Sequence, residues 1–391
     1  MVILWYGLVP MTGALVKRYK WHIFRKRFDE LRLSPILNYS QYSQEENDTG
    51  LSQKADTFRF VGGFESVTDG QTLWIRSEDL TVPVSLQNAE IYLLPMQKSE
   101  GISEIFDPGE ETPEKIRWER VSALTEGARV FAGGRLVCQD GRRIFQSAKK
   151  KTLMVIFFDG PDHSLATRAI RAGRNRGEYW NTITPYSLVI GALCQIIIAV
   201  AFLSRPAFRL TVIVSIIALF VPLYPMIPPG LLFTVIYRRL AWRSRILRAY
   251  RDLARLPLRY LRPQKNKHFS GNIVPLAKSC LLPNGEQYGF ICAKELPSQA
   301  EEGKIPLLLQ ELTKAKEDDL WYIFGALRPG GELPVQPEDS FATFGILPGR
   351  PETIARRCEI LAYTLELTAW LVLLTGIGLN IFFLRMILVL L

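Results

Sequence analysis

Pro185-Tyr-Ser-Leu-Val-Ile-Gly-Ala-Leu-Cys-Gln-Ile-Ile-Ile-Ala-Val-Ala-Phe-Leu203 turns at Ser204-Arg-Pro-Ala-Phe-Arg209, is followed by a second apolar run over residues 210–236, and then becomes abruptly basic. Each run has roughly the length, about 20 residues, that an α-helix needs to cross a hydrocarbon core. In the first run only Ser187 and Gln195 are clearly polar. The second is punctuated by Pro222, Pro225, Pro228 and Pro229. One straight helix cannot hold them, so a break is expected there. A break leaves backbone groups that protein or water must satisfy. Pro229-Gly230 suits the start of a new helix, running from residue 231 toward residue 255. Leu232, Val235, Ile236, Trp242, Ile246 and Leu253 are its apolar component, and Arg238, Arg239, Arg243, Arg245, Arg248, Arg251 and Arg255 carry its charge. A basic amphipathic helix leaving a span is expected to lie in the interface plane.

Working outward, Arg168, Arg171, Arg174, Arg176, Tyr179 and Trp180 precede the first run. Basic residues with Tyr and Trp at a span entrance are what a headgroup region selects, for lipid contact or for simple anchoring. The last apolar stretch begins at Pro351 or Glu352, with Pro at a favourable first-turn position, and runs through residues 361–383. Glu366 lies near its entrance. An ionisable group in a span is a functional candidate by default, and near the interface it is expected to be paired or solvated. Glu366 and Gln195 are thus the intramembrane polar candidates. Residues 1–16 are apolar, interrupted by Pro10, and precede Lys17-Arg-Tyr-Lys20 and Arg25-Lys-Arg27. A secretory signal has its charges before the apolar core, so this order reads instead as an anchor with the N-terminus outside.

The net charge of +10 and pI near 9.3 fit either nucleic acid or a membrane surface. The densest basic clusters abut the apolar runs, which favours anionic lipid over nucleic acid, so no nucleic acid is expected as partner. Cys138, Cys194, Cys280, Cys292 and Cys358 form no CxxC, and His22, His163 and His268 are scattered. No metal site and no cofactor are expected, and the cysteine set fits a reducing compartment. Asp162-His163-Ser164 reads as a helix N-terminus, with Asp162 or Ser164 as cap, rather than a triad, whose members meet from separate elements. No catalytic motif appears.

Residues 38–57 are a polar linker. From 58 to 158 the pattern changes to short strands: Phe58-Arg-Phe-Val61, Leu73-Trp-Ile75, Thr81-Val-Pro-Val84, Ile91-Tyr-Leu-Leu94, Arg117-Trp-Glu-Arg-Val121, Ala128-Arg-Val-Phe131 and Leu136-Val-Cys138. Asp140-Gly141 then predicts a hairpin to Arg143-Ile-Phe-Gln146. Leu153-Met-Val-Ile-Phe-Phe158 reads as a strand buried on both faces. This set points to a small barrel or sandwich, first of all a five-stranded OB-like barrel.

Trp118-Glu-Arg-Val, Glu126-Gly-Ala-Arg-Val-Phe-Ala-Gly-Gly-Arg and Asp140-Gly-Arg-Arg-Ile-Phe follow an N-terminal anchor and lead into another span. In this the segment resembles the GIDE, or "beside a membrane", domain of membrane-anchored ubiquitin ligases and their bacterial relatives. Those ligases carry a C-terminal RING. This chain has no Cys/His array with RING spacing, so the resemblance implies a β module at a bilayer and no ligase activity.

A second soluble segment, residues 269–352, contains a turn at Leu282-Pro-Asn-Gly-Glu286, a strand at Leu320-Trp-Tyr-Ile-Phe-Gly325, and a helix expected over 305–316. It reads as a small α+β piece packing on the first β domain or the membrane. The fold class is therefore a multi-spanning α-helical membrane protein with a cytoplasmic small OB-like β-barrel and a second small α+β segment. The divisions are 1–37 (anchor and basic flank), 38–57 (linker), 58–183 (membrane-adjacent β domain), 184–236 (transmembrane hairpin with a broken second span), 237–268 (interfacial helix), 269–352 and 353–391 (C-terminal span). The expected role is a non-catalytic scaffold or assembly factor binding a protein partner or anionic lipid. The alternative is a membrane-bound enzyme or lipid-processing protein at the headgroup plane. The charge order predicts both soluble segments on the cytoplasmic side, and the expected location is a bacterial inner membrane. Reporter fusions after Asn47 and after Gln310 are accordingly both expected to read as cytoplasmic. A periplasmic signal at either overturns that orientation.

Overall fold

The computed structural model describes residues 1–43, 57–68, 71–78, 80–94, 114–124, 128–139, 142–148, 152–174, 179, 181–261, 278–301, 305–309, 320–330 and 333–390. The chain forms two compact units. A helical unit comprises Met1–Ile23, Gly173–Arg248 and Arg357–Leu391, and a β unit comprises Phe24–Ala172 and Ala249–Arg356. The helices are α1 (Val9–Leu31), α2 (Tyr39–Ser43), α3 (Asp162–Arg171), α4 (Thr184–Leu203), α5 (Arg209–Leu219), α6 (Gly230–Ala254), α7 (Leu258–Leu261), α8 (Ser298–Glu301) and α9 (Pro351–Leu390).

The first sheet runs through β1 (Thr57–Thr68), β2 (Thr72–Arg76), β3 (Thr81–Ser85), β4 (Glu90–Leu93), β5 (Glu114–Ile116), β6 (Arg129–Gln139), β7 (Arg142–Gln146) and β8 (Met154–Phe158). Its order is β1-β2-β3-β7-β6-β8-β4-β5, with a further β1–β6 pairing. The expected closed five-stranded barrel is not what forms. β1 and β6 are long enough to serve more than one partner each. β1 gives residues 57–63 to β6 and residues 63–68 to β2. β6 holds β1, β7 and β8. The parallel seam between β3 and β7 is one residue pair, Val84↔Phe145, and the sheet continues beyond β6 into β8, β4 and β5. The result is a large mixed sheet.

Gly62 marks where β1 changes partner. A Cβ there would lie 2.3 Å from the Arg76 carbonyl oxygen, so only glycine admits the approach. β8 is buried along its whole length, as its unbroken apolar run implies, and it sits inside the sheet, with β6 on one edge and β4 on the other. The hairpin expected around Asp140-Gly141 appears in the register, Gln139↔Arg142, while the two turn residues lie outside the described set. The strand expected at 117–121 is instead a 3-10 helix, Trp118–Ala123. Only Val121 is buried in it, and one apolar contact per turn suits a turn better than a strand.

Neither Asp162 nor Ser164 caps α3; Pro161 occupies the cap without a side-chain bond. The Asp162 carboxylate instead accepts both Arg129 Nε, at 3.0 Å, and Arg129 Nη2. Ser164 Oγ donates to the Pro161 carbonyl at 2.7 Å.

The second sheet has the order β12-β11-β10-β9, from β9 (Ser279–Leu281), β10 (Gln287–Ala293), β11 (Trp321–Ala326) and β12 (Gly345–Leu347). The turn at Leu282-Pro-Asn-Gly-Glu286 closes β9 onto β10, with Gly285 at positive φ. Residues 305–309 are not helical, and most of the expected helix, 310–316, lies outside the described residues.

The two soluble segments share one interior. Phe341 packs its ring edge-on to Phe28 at 6.5 Å and Phe131 at 5.5 Å. Arg59 on β1 and Asp339 form an ion pair with both side chains at most 1% exposed. Arg59 Nε donates to the Ser34 carbonyl at 2.8 Å, and Asp339 Oδ1 accepts the Phe341 amide at 3.0 Å. The Arg59 guanidinium also lies 4.9 Å over the Phe341 ring. Beside it, buried Arg32 donates to Asp29 at 2.8 Å and to the Phe341 carbonyl at 3.2 Å, and lies 5.3 Å over the Tyr260 ring. Burial raises the Tyr260 phenol and raises that of Tyr288 well above its ordinary value, so both remain neutral donors.

Removing one partner of a buried pair strands a charge and costs about 3–5 kcal/mol, whereas replacing both with apolar groups is far cheaper. Asp339→Asn is therefore expected to lower the denaturation midpoint of the β unit sharply, and Arg59→Met with Asp339→Leu to lower it clearly less. Equal losses, measured by β-sheet circular dichroism, would contradict the pairing.

Candidate functional site

The site is built within the helical unit, starting at its N-terminus. Ile3–Leu8 is a π-helix running into α1. Pro10 has no N–H, so one carbonyl a turn earlier loses its donor. Two side chains, one before α4 and one within it, donate to carbonyls of that stretch. The Tyr179 hydroxyl donates to the Tyr6 carbonyl at 2.7 Å, and Ser187 Oγ donates to the Trp5 carbonyl. Asn181 Nδ2 donates to the Pro10 carbonyl itself at 2.9 Å. The helix thus passes through the proline rather than ending there. Close approach is enforced at Gly191, where a Cβ would meet the Tyr6 ring at 2.5 Å.

The break expected in the second apolar run is present. α5 ends at Leu219, a 3-10 turn spans Val221–Met226, and α6 starts at Gly230. A carbonyl of this break is satisfied from α9: Asn380 Nδ2 donates to the Ile227 oxygen at 3.2 Å. One turn earlier on α9, Gly376 faces Phe233, whose Cβ would be 2.5 Å from an added methyl. Gly376, Gly378 and Asn380 all lie within one helix that is continuous from Pro351 to Leu390.

Glu366 is bracketed by two arginines from two other helices. Its Oε1 accepts Arg18 Nη2 of α1 at 3.2 Å, and its Oε2 accepts Arg248 Nη2 of α6. One turn away, Ser244 Oγ donates to the Ala362 carbonyl at 2.8 Å, fixing α6 against α9. Of the 391-residue sequence, the stretches in the helical unit contain three acids only, Glu178, Glu359 and Glu366, amid many lysines and arginines. Glu366 is therefore a scarce counter-charge, and both of its oxygens are committed.

The basic residues of α6 divide into two groups. Arg238, Arg239 and Arg243 are exposed, and so is Trp242. Arg245 and Arg248 are half-buried, and Arg245 Nη1 reaches the Arg174 carbonyl at 3.4 Å. Along the exposed side, Leu231, Leu232, Val235 and Ile236 come first and the arginines with Trp242 follow. The segregation runs along the helix axis as well as around it. Arg171 and Arg174 are buried rather than turned to solvent, and Arg171 belongs to the β unit. Arg176 and Trp180 lie outside the described residues. Gln195 is buried within the helical unit. Sequence reading does not single out Asn181 or Ser244; Arg18 stands there only as part of the basic run Lys17-Arg-Tyr-Lys20, and Asn380 has one signal, an amide within an apolar run.

Among the described residues no group of three or more His, Cys, Asp or Glu is placed to hold a metal. Comparison with protein-family models, curated proteins and solved structures finds no match.

The bracket makes Glu366→Gln costly, because two partly buried guanidinium groups lose their shared carboxylate. A fall in the thermal midpoint of the detergent-solubilised protein is expected. Arg18→Gln combined with Glu366→Gln should lose less than the sum of the two single losses. Strict additivity would remove the bracket.

Proposed function

We propose that the chain is an integral membrane protein that holds its β unit on one side of an anionic bilayer, as a non-catalytic scaffold or assembly factor for a protein partner. The supporting observation is inverted burial. Three helical stretches, Thr184–Leu203, Pro206–Leu223 and Pro351–Phe383, are long and apolar enough to cross a membrane. In α4 the buried residues are Thr184, Ser187, Gly191 and Gln195, while Val189, Leu193, Ile197 and Val200 are exposed. In α5, Ser215 and Ala218 are buried while Leu210, Val214 and Phe220 are exposed. In water this arrangement forfeits roughly 25 cal/mol for each Å² of apolar surface left exposed. Against lipid chains it costs nothing, and small and polar residues belong between the helices.

Residues 1–16 are not among the three capable stretches; Lys17, Arg18 and Lys20 cut the apolar run short. In this reading the β unit constrains the topology. Its two pieces, Phe24–Ala172 and Ala249–Arg356, fold together, which supports an even number of crossings between them. A hairpin of α4 and α5, with the break before α6, meets that requirement. The basic residues flanking it favour the cytoplasmic side for the β unit by the positive-inside rule. A GIDE-like character for the first sheet is part of the same proposal, supported by a β module set between apolar helical segments.

The exposed Arg238, Arg239 and Arg243, with Trp242 among them, are the lipid-facing set of this reading. Each arginine near an anionic surface contributes on the order of 1 kcal/mol, and the sum is salt-sensitive. Replacing these three by Gln is expected to reduce the anionic lipid that co-purifies in mild detergent on the order of 100-fold in apparent affinity at low salt. Lipid mass spectrometry of the intact protein checks this. Equal retention of neutral and anionic lipid by the unaltered protein overturns the electrostatic part, and tighter retention of RNA at the same salt overturns the whole class.

A further inference from the structure

The arginines of α6 differ in what they touch. Arg248 pairs with Glu366, Arg251 pairs with Asp252, and Arg245 reaches the Arg174 carbonyl. Arg238, Arg239 and Arg243 are exposed and make no ion pair or hydrogen bond among the described residues. No acid stands three or four residues from Arg239 or from Arg243, so neither finds a counter-charge on its own helix.

Helix geometry gathers two of these three with two aliphatic residues. Leu232, Ile236, Arg239 and Arg243 follow one another by four, three and four positions, which returns each to the same stripe of a helix. All four are exposed. The opposite side of α6 is taken by α9: Phe233 meets Gly376, the Tyr237 ring lies 5.9 Å from that of Trp370, and Ser244 bonds the Ala362 carbonyl. The stripe is therefore an aliphatic half followed by a cationic half, about 16 Å long at the α-helical rise. Arg239 and Arg243 are one turn apart, with Cβ atoms about 6 Å from each other, so both guanidinium groups can reach one anion. Arg238 lies roughly 100° round the helix from Arg239, off the stripe.

Two like charges one turn apart repel, and an anion held between them removes the repulsion. A guanidinium binds a phosphate best through two parallel hydrogen bonds, so a pair of them calls for several free oxygens on one group. A phosphodiester carries a single charge. A phosphomonoester carries close to two near neutral pH and presents three acceptor oxygens. We propose that this stripe is a site for a glycerophospholipid whose head is a bare phosphomonoester, with the phosphate between Arg239 and Arg243 and an acyl chain along Ile236 and Leu232. The site rests on the membrane reading above and adds a head-group preference to it.

The intact chain in mild detergent is titrated with phosphatidic acid, phosphatidylglycerol and phosphatidylcholine of identical acyl chains, and bound lipid is counted by native mass spectrometry. At about pH 8, phosphatidic acid is expected to bind roughly fivefold more tightly than phosphatidylglycerol, the effect of one further paired charge. The advantage should shrink at about pH 5, where the phosphomonoester holds its second proton. Arg239→Gln or Arg243→Gln should remove it. Arg238→Gln loses the same charge off the stripe, and should weaken both anionic lipids alike while keeping the advantage. Arg239→Lys with Arg243→Lys keeps the charge without the planar fork, and should reduce the advantage while leaving phosphatidylglycerol binding near its original level. Glycerol 3-phosphate, the head without its chains, should not displace the lipid at equal concentration. Equal affinity for the two anionic lipids, an advantage unmoved by pH, or equal loss of it in R238Q and R239Q overturns the proposal and leaves the membrane reading standing. Displacement by glycerol 3-phosphate overturns it as well. Failure to bind any of the three lipids overturns the membrane reading together with the site.

Discussion

Arg59 and Asp339 are withdrawn from water together, and the rest of the β unit depends on that meeting. One belongs to the first strand of the large sheet and the other to a loop nearly three hundred residues later. Two ions removed from solvent separately would each cost several kcal/mol. Paired, and completed by Ser34, the Phe341 amide and the Phe341 ring, they are tolerable only when both segments are folded in register. The pair therefore acts less as a source of net stability than as a condition on assembly. It excludes arrangements in which either segment folds without the other.

That condition propagates to the helical unit through chain connectivity. The two pieces of the β unit share one interior. In the membrane-spanning reading proposed above, the apolar chain between them has to return to the side from which it left. The hairpin of α4 and α5 would do so, and Asn380 supplies a donor to the Ile227 carbonyl in the broken backbone before α6. A similar pairing occurs at the N-terminus, where Tyr179 and Ser187 donate to carbonyls one turn before Pro10. In each case backbone near a proline is met by a polar side chain from a distant segment.

Much of this was legible in the sequence, and the part that was not has a common cause. Apolar length, the cluster of prolines after Phe220 and the start of α9 at Pro351 are local signals, and all three appear in the structure. Strand positions were readable because alternation and turn residues are local too. Pairing was not: nothing in the alternation of β6 states that it will serve three partners and keep the sheet from ending as a five-stranded barrel. Arg59 sits in Phe58-Arg-Phe-Val61 where alternation makes it a solvent-facing residue. It is buried because Asp339 reaches it, and no window of neighbouring residues contains that fact. Glu366 shows the intermediate case. Its apolar surroundings marked it as a group needing a partner, while the choice of Arg18 and Arg248 required the fold.

The claim that the two soluble segments form one cooperative body is tested most directly by native-state hydrogen exchange on the intact protein across a series of low denaturant concentrations. Amides of β6, at Val130 and Ala132, report on the first segment, and amides of β11, at Ile323 and Phe324, report on the second. If the shared interior governs both, their opening free energies converge on one value and one denaturant dependence. Exchange of the β11 amides through an independent opening of much lower free energy, with β6 still fully protected, would contradict it.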